Sequence, residues 1–349
     1  MKELTNYVNE ISNRFSQINM KKDSHVFIIY HREDNDGLFS QAIMTNYLIN
    51  ELGITNIDYL PADYVVLANI TKSDIDDWKD KYDIVIMTDI SFNNTNIFKY
   101  LIDTYGNNFY WIDHHAPIIK WSIQNGLDSV NGLRDTKHSA LYNMFMYLYD
   151  PWRTNENNVP ELFKVLSAWD SFTFEQNGYT KKHTMIVNKA VETMTQLERD
   201  ATLKIVQEQI TDYNAGVNDK ISDTIMQMGS DIVSYDAFRF KELMSTCPKD
   251  FSIEHDNDTA MLFMDGPSSS IMFESLKKTN PEIKHGIVFH YKGGSTWTLS
   301  VYNVYDNDDF DCGKFCKEQF NGGGHKGAAG CTITQTVLKK ILKTKQVKK

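Results

Sequence analysis

The sequence predicts an α/β chain built around an N-terminal parallel sheet, with a helical connector and a smaller C-terminal α/β segment. Three observations carry this. Residues 25–30, 82–88 and 108–112 are apolar, β-branched or aromatic runs, the composition of strands buried on both faces. Stretches with helical apolar spacing separate them, as right-handed crossovers between parallel strands require. Strand patterns return near Thr259, after a long helical stretch without strand signals. The 349 residues suffice for two cores, and the expected boundaries are 1–182, 183–258 and 259–349.

Taken in order, residues 2–20 read as a polar helix and 25–30 as the first strand, which runs into His31-Arg32-Glu33-Asp34-Asn35-Asp36-Gly37. Leu38, Ala42, Ile43, Tyr47 and Leu48 continue as a helix that stops at Gly53. Residues 57–60 form a strand, 73–80 a short acidic helix, and 82–88 a strand ending at Asp89. A helix over 94–104 leads to the strand at 108–112, which ends in Asp113-His114-His115. Helices over 140–149 and 161–169 flank an Asn/Pro-rich loop, and the second ends at Trp169-Asp170. Residues 183–245 read as helical and polar. The C-terminal segment reads as a strand at 260–264, a helix at 268–278, and strands at 285–291 and 296–304 joined by Lys292-Gly293-Gly294-Ser295. A helix near 311–320 precedes Asn321-Gly322-Gly323-Gly324-His325-Lys326-Gly327. The last eleven residues hold six Lys and read as a solvated tail.

Composition narrows the function. A net charge of −10 argues against long duplex nucleic acid, whose phosphates call for many cations. The four Cys include no Cys-x-x-Cys pair, which fits core thiols in a reducing compartment. No apolar run approaches the ~18 residues of a membrane span, and the N-terminus is polar, so a cytoplasmic location is expected.

The chemistry gathers at three strand ends. Asp34 and Asp36 are close enough to repel unless a cation lies between them, and Gly37 permits a tight backbone approach. Asp89 ends the next long strand. Tandem His beside Asp113 suits manganese, cobalt, zinc or iron, because imidazole favours transition metals. Ligands bind beyond the carboxyl ends of strands in such sheets. Three strands delivering carboxylate or imidazole to one edge therefore point to a two-metal site, which polarises phosphoryl groups and activates water. Separately, Gly322 to Gly324 would present backbone N–H groups as an anion nest, with His325 and Lys326 as added donors. Trp111, Trp169 and Trp297 read as core-packing residues in preference to base-stacking ones, and Ser139 reads as an N-cap.

Asp-x-Asp-Gly at 34–37, Asp89 after an apolar strand, Asp113-His114-His115, Trp169-Asp170 and Gly-Gly-Gly-His-Lys-Gly-Ala-Ala-Gly at 322–330 occur in that order. This resembles the DHH phosphoesterase superfamily with its associated C-terminal domain, over nearly the whole chain. Within it the arrangement most resembles the nano-RNase/oligoribonuclease branch, and it is similar to cyclic-dinucleotide phosphodiesterases and the RecJ exonuclease core. The resemblance implies that Asp34 and Asp89 hold one metal, and that Asp36, Asp89, His114 and Asp170 hold a second, with Asp89 bridging. It implies that His115 meets the scissile phosphate, Asp113 orients its His neighbours, and Gly322, Gly323, Gly324 and His325 grip the substrate elsewhere. Many members place a His four residues before the first Asp; here His31 stands three before Asp34 and is the candidate ligand. The expected activity is hydrolysis of short oligoribonucleotides to mononucleotides with two Mn2+ per chain, Mg2+ or Co2+ substituting. Alternatives are a linear or cyclic dinucleotide phosphodiesterase, a 3′-phosphoadenosine 5′-phosphate phosphatase, or an inactive nucleotide-binding regulatory module. The expected partners are short RNA or dinucleotides, with a homodimer compatible and a membrane not.

Overall fold

The computed structural model describes residues 20–150, 159–197, 200–217, 220–246, 259–264, 273, 277, 281–305 and 309–343. The readings for residues 2–19, most of 268–278, Cys247 and the last six residues lie outside these. The chain divides into two compact units, Met1–Ile232 and Val233–Lys349.

In the first unit, β1 (Val26–His31), β2 (Ile57–Ala62), β3 (Ile84–Thr88) and β4 (Phe109–Ile112) form a parallel sheet in the order β2-β1-β3-β4. The three strands that end in polar clusters are thus neighbours. Side chains alternate between faces, and the two cores obey this. Val26, Ile28, Ile84, Ile86, Tyr110 and Ile112 face one core, and Phe27, Ile29, Val85, Met87, Phe109 and Trp111 the other. Trp111 is fully buried, so it is a core residue and not a base platform. Pro61 lies in β2, an edge strand, where a missing N–H is tolerated. The other edge is covered by a returning segment: Trp111 N donates to Asn131 O at 2.8 Å and Asp113 N to Leu133 O at 3.2 Å.

The helices are α1 (Asn35–Asn50), α2 (Tyr64–Ala68), α3 (Lys72–Lys81), α4 (Thr95–Tyr105), α5 (Ala116–Gln124), α6 (Ala140–Tyr149), α7 (Glu161–Asp170), α8 (Lys181–Leu197), α9 (Ala201–Asn214) and α10 (Asp223–Thr246). Most follow the apolar spacing. A reciprocal Thr71–Asp74 capping box starts α3. Two were not expected. α2 is a single short turn capped by Asp63, and α5 starts on Ala116-Pro117, where proline is pre-organised for the first helical turn. α8 and α9, in the expected connector, send Val187, Val191, Ile205, Val206 and Ile210 into the same core as β1 and α1.

In the second unit, β5 (Thr259–Met264), β6 (Ile283–Gly293), β7 (Thr296–Asn303), β8 (Gly323–Gly324) and β9 (Ala328–Thr334) form a sheet in the order β5-β6-β7-β9-β8. β5 and β6 pair in parallel and the others antiparallel. α11 (Cys312–Phe320) and α12 (Gln335–Lys343) pack on it, and Cys312, Cys316 and Cys331 are core thiols, as expected. No described helix is long and apolar enough to cross a membrane.

Gly132 carries the edge cover. Its φ is +116°, and a Cβ there would lie 2.1 Å from Trp111 O. Gly126 also has positive φ, at +68°, but its Cβ would meet nothing within 4 Å. Gly132→Ala is therefore expected to lower stability by at least about 2 kcal/mol, and Gly126→Ala by about 1 kcal/mol. Denaturant midpoints check this; equal losses would contradict the assigned close approach.

Candidate metal centre

The site starts at the end of β1. Asp34 caps α1, its Oδ1 accepting from Gly37 N at 3.0 Å. A Cβ on Gly37 would lie 2.0 Å from His31 O, so only glycine lets the helix start against the strand end. This fold-back brings His31 Nδ1 to 3.0 Å from Asp34 Oδ2. The three-residue spacing thus keeps His31 in the cluster.

Beyond β3, Asp89 adopts a left-handed backbone, φ +58°, and its N–H donates to Ile112 O at 3.0 Å. Non-glycine residues hold this conformation at a cost of about 1–3 kcal/mol and cluster at functional sites. It sets one carboxylate oxygen toward each neighbouring imidazole. Oδ2 is 3.5 Å from His31 Nδ1, and Oδ1 is 3.4 Å from His114 Nε2. His114 Nε2 also lies 3.6 Å from Asp36 Oδ2 and 3.3 Å from Asp170 Oδ2. The donor atoms therefore fall into three overlapping groups, each able to hold a metal ion: His31, Asp34 and Asp89; Asp89, His114 and His115; Asp36, His114 and Asp170.

Asp113 is fully buried and faces its own neighbours. Oδ1 accepts from His114 N at 2.7 Å and His115 N at 3.0 Å, and it contacts His115 Nδ1 at 2.7 Å. Oδ2 accepts from Trp111 Nε1 at 3.0 Å. Two adjacent His can thus serve different ends: the strand ends after Ile112, and Asp113 fixes His115 while His114 turns to the carboxylates.

Electrostatics fit a cation here. Oδ2 of Asp89 and Oδ2 of Asp170 are buried without a hydrogen-bond partner. Burial, reinforced by the charge of Asp36, pushes both carboxyls well above the usual range. Buried carboxylates without donors are costly, and a divalent ion would supply what is missing. Burial alone would lower His31, but bonding and charge from Asp34, and then the nearby carboxylate of Asp89, outweigh it and push its pKa to about 11. Burial likewise opposes the ionised form of Asp34, yet His31 holds it down to about 2. His114 and His115 are raised, against burial, chiefly by Asp170 and Asp113 respectively.

All eight residues named in the first unit, His31, Asp34, Asp36, Asp89, Asp113, His114, His115 and Asp170, come together. The glycine segment of the second unit differs from the expected nest. Asn321 is left-handed at the end of α11, and Gly322 N donates to Cys316 O at 3.0 Å, closing that helix. A Gly322 Cβ would meet Cys331 Cβ at 2.4 Å. His325 N donates to Ala328 O at 2.8 Å. The Gly322 and His325 amides are thus spent inside the turn; Gly323, Gly324, His325 and Lys326 remain exposed.

Several neighbours were not legible beforehand. Tyr64, 41% exposed, places its ring 6.3 Å from that of His31. It precedes no recognisable pattern. Asp63, which caps its helix, pairs with Arg32. Arg134 is buried against Trp111 O, Val130 O and the Trp111 ring. Ser139 holds the N-cap position of α6, but its hydroxyl makes no cap bond.

The sequence matches no protein-family model and no curated protein sequence. Among solved structures, RecJ from Thermus thermophilus in complex with Mn2+ is 13% identical, with a TM-score of 0.50, covering 96% of this chain and 53% of that one. An exopolyphosphatase-related protein from Bacteroides fragilis is 12% identical, TM-score 0.49, covering 97% and 95%. A pGpG-specific phosphodiesterase from Vibrio cholerae is 16% identical, TM-score 0.46, covering 92% and 97%. At such identity the RecJ likeness shows the fold alone.

Two titrations test this electrostatic picture in metal-free protein. His31 is expected to stay protonated through pH 8, since its pKa is raised to about 11; an imidazole NMR signal of His31 titrating near the ordinary ~6.5 would contradict it. That pairing stabilises the fold fully between pH ~4 and ~6.5, and is lost as pH rises toward 11 or falls through about 2. Asp113 is held at about 2 because the charges and donors of His115 and His114 outweigh burial. Its contribution, about 2 kcal/mol, is present above pH ~4 and lost as pH falls through 2. Asp113→Asn should flatten the acid limb of the stability curve; an unchanged limb would count against the assignment.

Proposed function

We propose that this chain is a DHH-type metallophosphoesterase that hydrolyses short oligoribonucleotides to mononucleotides. The observation that supports it most is the position of Asp89, with one oxygen toward His31 and the other toward His114. The donor groups then form one array around a shared carboxylate. In this reading His31, Asp34 and Asp89 hold one divalent cation, and Asp36, Asp89, His114 and Asp170 hold the other, manganese being the preferred metal. Bound there, such a pair neutralises phosphoryl charge and activates water near neutral pH.

The remaining roles fall to the chain's own side chains. Asp113 is a positioning residue. It engages His115 Nδ1, which leaves Nε2 as the ring atom available to a phosphate oxygen. Asp113 also raises the His115 pKa, which favours the protonated, donating ring. In the second unit, His325 with Gly323 and Gly324 is assigned to substrate contact. The net charge of −10 favours short substrates over long strands. A module that only bound nucleotides would not need buried carboxylate oxygens lacking donors.

The test is a substrate panel with Mn2+: di- to penta-ribonucleotides, their DNA counterparts, cyclic dinucleotides and 3′-phosphoadenosine 5′-phosphate. Short RNA is expected to turn over fastest. Its survival while another class is hydrolysed would overturn the substrate assignment, and no turnover of any class would overturn the enzyme. Asp36→Ala and His114→Ala are expected to lower kcat at least ~1,000-fold. His325→Ala should raise KM about tenfold at near-constant kcat; unchanged KM would remove it from the substrate contacts.

A further inference from the structure

The group of Asp36, His114 and Asp170 draws its donors from three places far apart in sequence: Asp36 after β1, His114 after β4, and Asp170 at the end of α7. Each of these segments is hydrogen-bonded to the first turns of α6. Asp36 does so with both oxygens. Oδ2 accepts from Ala140 N and Oδ1 from Leu141 N, each at 2.7 Å, across 104 and 105 residues. These are two of the N–H groups that a helix start leaves without an internal partner. The second of them, at the N2 position, is one that the N-cap side chain ordinarily serves. Here the N-cap is Ser139, and its Oγ is buried without a partner. A carboxylate from another segment has taken its place, seated at the partly positive end of a ten-residue helix.

The other two segments are tied by side chains. Asn143 Nδ2 donates to Asp135 O at 2.9 Å and lies 3.4 Å from both Asp113 O and His138 O. Asp113 O belongs to the peptide that leads into His114. Ser139 N donates to Ser167 Oγ at 3.0 Å, and Ser167 lies three residues before Asp170 on α7. Asn143 and Ser167 are both buried. Among the described residues, no such bond links α6 to His31, Asp34 or Asp89.

We propose that the start of α6 is the positioning element for the cation position formed by Asp36, His114 and Asp170, and that Asn143 and Ser167 are positioning residues that set its metal affinity. The inference rests on the metal-centre reading above and adds an asymmetry to it: disturbing α6 weakens one cation position and spares the other.

The test is Mn2+ titration of the full chain, by calorimetry and by the electron paramagnetic resonance of the bound ions. Variants are Ser167→Ala, Asn143→Leu and Ser139→Ala, each with its thermal midpoint measured. The native chain is expected to bind two Mn2+. Ser167→Ala and Asn143→Leu should weaken one of the two by about 10–100-fold, the range for groups that orient ligands, and leave the other unchanged. Ser139→Ala should keep both affinities, because its hydroxyl has no partner to lose. If Asn143→Leu fails to fold, Ser167→Ala decides. Equal weakening of both positions, no weakening in Ser167→Ala, or a loss in Ser139→Ala matching that in Ser167→Ala would overturn the proposal. A native chain that binds no Mn2+ would overturn the metal-centre reading itself, and this inference with it.

Discussion

Negative charge packed at one sheet edge is the constraint on which the first unit depends. Asp34, Asp36, Asp89 and Asp170 converge on two imidazoles, and Asp89 is shared between them. Two unit charges 4 Å apart repel by about 4 kcal/mol at the effective dielectric of a protein surface. Several such pairs would defeat a domain whose net stability is of order 10 kcal/mol. In the chain alone, protonated His31 and raised carboxyl pKa values at Asp89 and Asp170 relieve the repulsion. A divalent pair held by these residues would relieve it more fully and would satisfy the oxygens that lack donors. The left-handed backbone of Asp89 fits this view, since a relaxed one would give up the shared orientation.

The rest of the unit secures this edge. The strand order makes β1, β3 and β4 adjacent, so their ends meet without long loops. Gly37 allows α1 to begin against His31, and the covered edge of β4 fixes the strand that delivers Asp113. Asp36 then performs two tasks, capping α6 and facing His114. The glycine-rich segment of the second unit is organised differently. Much of its glycine content answers close packing, with Gly322 against Cys331 and Gly324 against Ala329.

Much of this was legible in the sequence. Apolar runs on doubly buried strands have little freedom to be anything else, so β1, β3 and β4 were placed within a residue or two. The polar residues just past them were conspicuous because nothing apolar explained them. What escaped depends on distant partners. Ser139 looks like a cap, and only the fold shows that Asp36 has displaced it. Asn143 and Ser167 sit inside apolar helices, where the pattern marks only core. Arg134 and Tyr64 carry no motif; one is defined by the carbonyls around it and the other by its distance to His31. The Gly322 amide does not join an anion nest, as the glycine run suggests, because helix closure by a left-handed Asn321 claims it first.

The most direct measurement is anomalous diffraction at the manganese edge from crystals grown with Mn2+. Two peaks are expected about 3.5–4 Å apart, the spacing of paired catalytic metals. One should lie against His31, Asp34 and Asp89, and the other against Asp36, His114 and Asp170, with Asp89 touching both. A single peak, or a pair that does not share Asp89, would contradict the shared-carboxylate centre.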